Sequence, residues 1–175
     1  MNALTSPILL RGDDVTAYRD PAAVLLSGVC YLYFTYVDNR PGGPWLYLAE
    51  RRTRDFVHWS DLRLLTPKNK ALNYSSPGSI VRDGADWVIC FQTYCRENGE
   101  KYGNANSRLY SMRSRDLERW SEPELLRVKG DSVPFESMGR MIDPFLLRAD
   151  GQWWCFFKQN GVSYSTSPDL RHWTF

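Results

Sequence analysis

Two aspartates, Asp20 and Asp143, stand immediately before proline, each ahead of a run of apolar residues. Carboxylates set apart in this way are groups of general acid–base chemistry, one able to take a proton and another to give or steer one. Arg19 adjoins the first and Arg140 lies three residues before the second, so a guanidinium could hold either carboxylate ionised or bind a ligand hydroxyl. Asp before Pro also starts turns for purely structural reasons, and either arginine could equally serve a structural salt bridge.

The position recurs because the chain repeats. Asp-(Phe/Leu)-x-(His/Arg)-Trp occurs at Asp55 to Trp59, Asp116 to Trp120 and Asp169 to Trp173. Before each copy comes a proline that opens an apolar strand, then a Gly turn and an aromatic strand, beginning at Pro21, Pro77 and Pro144. A third short strand follows at 45–51, 108–114 and 161–167, and a fourth around LRLL and ELLRV after the first two tryptophan motifs. Four antiparallel strands per repeat predict an all-β fold, a β-propeller whose blades fall at about 18–66, 74–128 and 140–175. Propellers close into rings of typically four to eight blades. The sequence ends just after the third tryptophan motif, so it reads as one truncated propeller domain.

The tryptophan motif is explained without chemistry: Asp accepts backbone N–H groups in a short turn, and Trp wedges between neighbouring blades. His58 and His172 occupy the same place in two of these turns and are structural on that reading. Aligned, the strand heads are Arg19-Asp20, Ser75-Ser76 and Ile142-Asp143. Inner strands converge on a propeller's axis, so these heads, with Gln92, Lys158, Tyr18, Asn73, Tyr74 and Gln159, are expected near the channel entrance. Glu136, in the loop leading to Asp143, is expected over the channel mouth, either as a proton donor or as a solvated loop residue.

Composition narrows the alternatives. Basic and acidic residues, 22 and 20, are mixed along the chain without a Lys/Arg stripe, which argues against nucleic acid. No segment approaches the ~18 apolar residues of a membrane span, and the start lacks the features of a secretory leader, giving a cytoplasmic expectation. The four cysteines lack CxxC spacing and are expected to be reduced, most of them in the core. No metal site and no cofactor is expected.

An Asp-Pro at an inner strand, a Gly-turn-aromatic hairpin and a (Ser/Arg)-x-Asp-Leu-x-x-Trp turn together resemble the five-bladed propeller glycosidases, nearest glycoside hydrolase family 43, over residues 18 to 175. The resemblance implies about three of five blades and a carbohydrate substrate. It implies hydrolysis of arabinosyl or xylosyl linkages with inversion, Asp20 matching the base and Asp143 the aspartate that tunes the acid. Glu136 is then the best general acid within the chain, and Arg19, Ser76, Gln92, Arg140 and Lys158 are substrate-binding candidates. Inversion places the acid and base about 6.5–9.5 Å apart to admit a water. This sequence has Ser76 where the family carries its second aspartate. A non-catalytic carbohydrate- or protein-binding propeller, and a phosphorylase using Arg19, Arg140 and Lys158, remain alternatives.

Overall fold

The computed structural model describes residues 6–175. Period-2 alternation of aromatic and aliphatic residues builds strands and nothing else of length; the one helical element is a 3-10 turn at Phe135–Met138. The first sheet is an antiparallel meander of β1 (Thr16–Leu26), β2 (Val29–Asp38), β3 (Trp45–Thr53) and β4 (Arg63–Leu64). The second contains β5 (Tyr74–Ser75) and β6 (Ile80–Asp83), both paired to β7 (Asp86–Thr93), then β8 (Leu109–Ser114) and β9 (Glu124–Leu125). The third has β10 (Ile142–Ala149), β11 (Gln152–Lys158) and β12 (Val162–Ser167), with a single further bridge from Thr166 to Thr174.

Hairpin turns are set by residues that accept positive φ. Ser27-Gly28 and Asp150-Gly151 have both central residues in that region, as a two-residue turn matching the strand twist requires. The prolines, however, do not open their strands. β1 begins at Thr16, and its pairing with β2 slips between Arg19 and Ala22; β10 slips in the same way between Ile142 and Phe145. Asp20, Ser76 and Asp143 sit at φ of 52°, 48° and 56°. Each repeat thus carries a bulge where the sequence suggested a strand start, because proline cannot donate to the ladder and the residue before it takes up the extra length. In the second sheet the interruption splits the inner strand into β5 and β6.

Alternate residues of each middle strand serve opposite joints. Tyr31 and Tyr33 of β2 meet Ile89 and Phe91 of β7 in one core, while Val88 and Cys90 meet Cys155 and Phe157 of β11 in the other. The tryptophan turn of each later sheet plugs the joint behind it. Leu117 is fully buried against the first sheet, its carbonyl accepts a hydrogen bond from Tyr33 Oη at 3.1 Å, and Trp120 meets the Tyr33 ring edge-on at 5.6 Å. Leu170 and Trp173 do the same between the second and third sheets. Gly78 lets the strands touch, since a Cβ there would lie 1.8 Å from the Pro144 carbonyl oxygen. All four cysteines are buried and free, and burial pushes the Cys90 and Cys155 thiols up.

In every turn one aspartate oxygen accepts two backbone N–H groups: Asp55 from Val57 and His58, Asp116 from Glu118 and Arg119, Asp169 from Arg171 and His172. His58 and His172 each set Nδ1 at 2.7 Å from the same aspartate's other oxygen, consistent with a structural role. The Arg119 and Glu118 amides hold Asp116 down to about 2 from an ordinary 3.8.

Two outcomes are expected. Leu117→Ala lowers unfolding free energy by about 2–5 kcal/mol in urea titration, whereas Phe56→Ala, at the equivalent but 39% exposed position, costs less than about 1 kcal/mol. Because the folded state depresses the Asp116 pKa, its stabilisation is full above 3.8 and is lost as pH falls toward about 2. Unfolding of Asp116→Asn, which keeps the acceptor but does not titrate, should therefore vary less with pH in that window than the parent.

Candidate active site

The three bulges bring their residues to one place. Asp20, Ser76 and Asp143 line a single open cavity of about 500 Å³, each supplied by a different sheet. Opposite them on the second strands stand Thr35, Gln92 and Lys158, placed by the pairings Arg19 with Thr35, Ser75 with Gln92, and Ile142 with Lys158. Arg19 and Arg140 complete the polar wall, and Tyr94 and Tyr102 add aromatic surface. Of the eight residues singled out from sequence, the cavity lining gathers Arg19, Asp20, Ser76, Gln92, Arg140, Asp143 and Lys158.

Glu136 is the exception. It lies exposed in the 3-10 turn, outside the lining of this cavity. The buried Arg108 anchors that turn: Nε and Nη2 donate to the Phe135 carbonyl at 3.2 and 2.8 Å, and its guanidinium lies 4.4 Å from the Phe135 ring centroid. The loop is thus tied down by its backbone and aromatic ring, and the carboxylate beside them is left to solvent.

The hydrogen bonds at the cavity follow a repeated rule. Thr35 Oγ1 accepts the Ser76 N–H at 2.7 Å, and Gln92 Oε1 accepts the Asp143 N–H at 2.5 Å. The second strand of one sheet therefore fixes the bulge of the next, and both acceptors are almost wholly buried. Thr35 also donates to Asp20 Oδ2 at 2.8 Å, as does Ser76 Oγ at 3.1 Å. Oδ2 of Asp20 is thereby anchored, while Oδ1 has no hydrogen-bond partner among the described residues. An anchored carboxylate with one oxygen turned to a cavity can accept a proton from a molecule bound there.

The cationic side chains are less committed. Arg140 Nε donates to the Gly103 carbonyl at 3.0 Å, and Gln159 Nε2 pins the same loop through the Met138 and Arg140 carbonyls. Among the described residues, Arg19, Arg140 and Lys158 form no ion pair, so the salt-bridge role considered for the two arginines is not realised there. No group of three His, Cys, Asp or Glu side chains converges as metal ligands among the described residues, and no helix there is long and apolar enough to cross a membrane.

Sequence reasoning passed over Thr35, although its register opposite Arg19, matching Gln92 and Lys158, is the signal that identifies it. Tyr102 was also missed, being carried by the polar insert after β7.

The sequence matches no protein-family model and no curated protein. The structure resembles a glycosyl hydrolase from Bacteroides ovatus at TM-score 0.70 and 18% identity, covering 91% of this chain and 48% of the other. It also resembles the α-L-arabinofuranosidase PaAbf62A of Podospora anserina (TM-score 0.63, 12% identity, 89% and 48%). An N-acetylgalactosamine deacetylase from F. plautii gives TM-score 0.74 at 14% identity, covering 97% and 55%. The chain spans about half the length of these structures, and the likeness is one of fold.

Gln92→Met should leave the Asp143 N–H without its acceptor and cost about 1–3 kcal/mol in urea unfolding.

Proposed function

We propose that this chain forms part of a β-propeller glycoside hydrolase, of the family 43 type, acting on arabinosyl or xylosyl linkages with inversion. The observation that carries the reading is the meeting of Asp20 and Asp143, from the first and third sheets, on one cavity. In this reading Asp20, anchored through Oδ2 by Thr35 and Ser76, uses Oδ1 to take a proton from the attacking water. Asp143 orients and tunes the proton donor, Arg19 and Arg140 hold sugar hydroxyls through their planar forks, and Tyr102 offers a ring for a sugar face. Glu136, outside the lining, serves only if its loop moves, so the donor is sought elsewhere in the assembled protein. The likeness in fold to glycosidases supports a carbohydrate ligand.

A second reading is favoured by the three unpaired cations. Phosphorolysis replaces water with phosphate, and Arg19, Arg140 and Lys158 supply the donors a phosphate needs. One structural neighbour belongs to the GH130 family of mannoside phosphorylases, which contains hydrolases of β-1,2 mannosidic linkages.

Aryl arabinosides, xylosides and mannosides, assayed with and without phosphate, decide between them. Hydrolysis independent of phosphate and a fall in kcat of about 10²–10⁴ in Asp20→Asn is the expected result. Turnover that requires phosphate transfers the assignment to the second reading. Sugar binding with no turnover, unaffected by Asp20→Asn, makes this a binding propeller and sinks both.

A further inference from the structure

The second sheet has a neighbour on both faces. From Leu65 to Met141 the described residues expose one large apolar side chain, Tyr102, at 64%. It stands in the insert between β7 and β8, where the first and third repeats have shorter connections, and it lines the same cavity as Asp20 and Asp143. Its ring stacks on no other among the described residues, and the adjacent Lys101 places Nζ 5.4 Å from its centroid.

A ring on a slack loop has no fixed orientation to offer a ligand, whereas a ring on a braced loop does. The insert is braced. The Glu100 carboxylate gathers the Asn98 N–H at 3.1 Å and the side-chain amides of Asn98 and Asn104, each at 3.2 Å. Arg96 Nε donates to the Glu100 carbonyl, and the Asn104 N–H donates to the Cys95 carbonyl at 2.8 Å, which closes the loop at its base. Gly103 lies against Tyr94, where a Cβ would come within 2.8 Å of the Tyr94 ring and 2.9 Å of Ser107 Oγ. The Gly103 carbonyl accepts from Arg140 Nε at 3.0 Å, and the Ser107 carbonyl accepts from the Met141 N–H at 3.0 Å, so the insert is tied to the segment leading into β10. All of these bonds lie between residues 94 and 141, within and beside the sheet that is covered on both faces. The exposure of Tyr102 therefore owes nothing to either end of the chain.

The cavity wall thus carries two groups with separate anchors. Asp20, Thr35 and Ser76 are bonded together at the joint of the first and second sheets. Tyr102 and Arg140 are linked through Gly103 at the joint of the second and third. One molecule that touches both groups must extend across the cavity, whose volume of about 500 Å³ falls in the range that takes drug-sized ligands. An aromatic ring packs against the C–H face of a sugar, and a guanidinium whose Nε is already committed keeps its terminal donors for hydroxyls.

We propose that Tyr102 and Arg140 form a second sugar subsite, so that the ligand of this cavity is a chain of at least two sugar units, one at Asp20 and the next on the Tyr102 ring. The inference rests on the carbohydrate reading above and adds chain length to it. Contact with the second unit then helps to hold the first against Asp20, as binding energy from remote parts of a substrate does in enzymes generally.

Isothermal titration of the chain with arabino-, xylo- and manno-oligosaccharides of one to four units tests this. Affinity should rise about tenfold between one unit and two in at least one series. Tyr102→Phe, which keeps the ring, should retain that gain and Tyr102→Ala should lose it, with circular dichroism unchanged in both because the side chain is exposed. Sugars that bind with no gain between one unit and two, or a gain that Tyr102→Ala retains, overturn the subsite and leave the carbohydrate reading standing. Absence of binding in every series at every length overturns both.

Discussion

A strand whose side chains alternate between two faces, both apolar, can be hidden only by a layer on each side. β7 shows the constraint: Ile89 and Phe91 point back into one core while Val88 and Cys90 point forward into the other. The tryptophan turns complete those cores. Their shape comes from one aspartate oxygen collecting two amides, with the next residue at positive φ, as at Leu117 (63°) and Leu170 (59°). This geometry projects a leucine and a tryptophan into the joint behind. Tyr33 answers with both a ring contact and a hydrogen bond to the Leu117 carbonyl, so the joint carries directionality as well as area.

The cavity inherits its geometry from the same stacking. Once the joints fix the sheets, the bulges at Asp20, Ser76 and Asp143 arrive at one end of the stack, and their freed N–H groups need acceptors. Thr35 and Gln92 supply them for the second and third bulges from the preceding sheet. Ser79 ties the inner strands together lower down, its Oγ accepting from Leu146 N at 2.6 Å and donating to Leu146 O at 3.0 Å. Movement between sheets would therefore break these bonds.

Much of this was legible in the sequence because it repeats. The hairpins, the tryptophan turns and the equivalence of Asp20, Ser76 and Asp143 all follow from aligning the chain with itself. What was hidden depends on through-space register. Asp-Pro looks like a strand start because proline ends hydrogen-bonded ladders, and only the pairing on both sides reveals a bulge within β1. Thr35 sits inside an unbroken apolar run, YLYFTYV, with nothing local to mark it. Glu136 was drawn toward the channel by its nearness in sequence to Asp143, whereas Arg108, 27 residues before Phe135, decides where that loop lies. An insertion such as the one carrying Tyr102 has no counterpart in the other repeats, so repetition cannot place it.

The positions that break the repeat are therefore the ones that bear on chemistry. Had all three bulges carried serine and all three second strands a neutral acceptor, this end of the stack would offer a ligand only the Arg19 and Arg140 guanidinium groups as charge. Asp20 departs from that pattern, and the hydroxyls of Thr35 and Ser76 anchor its carboxylate through one oxygen only. Asp143 departs from it too, using its backbone N–H for the lattice while its side chain stays exposed at the cavity. Lys158 departs in the opposite sense, replacing an acceptor with a donor at the forward edge of the third sheet. At the second and third bulges the backbone N–H carries the structural bond, whereas at the first Asp20 commits one carboxylate oxygen to the lattice and keeps the other for a ligand.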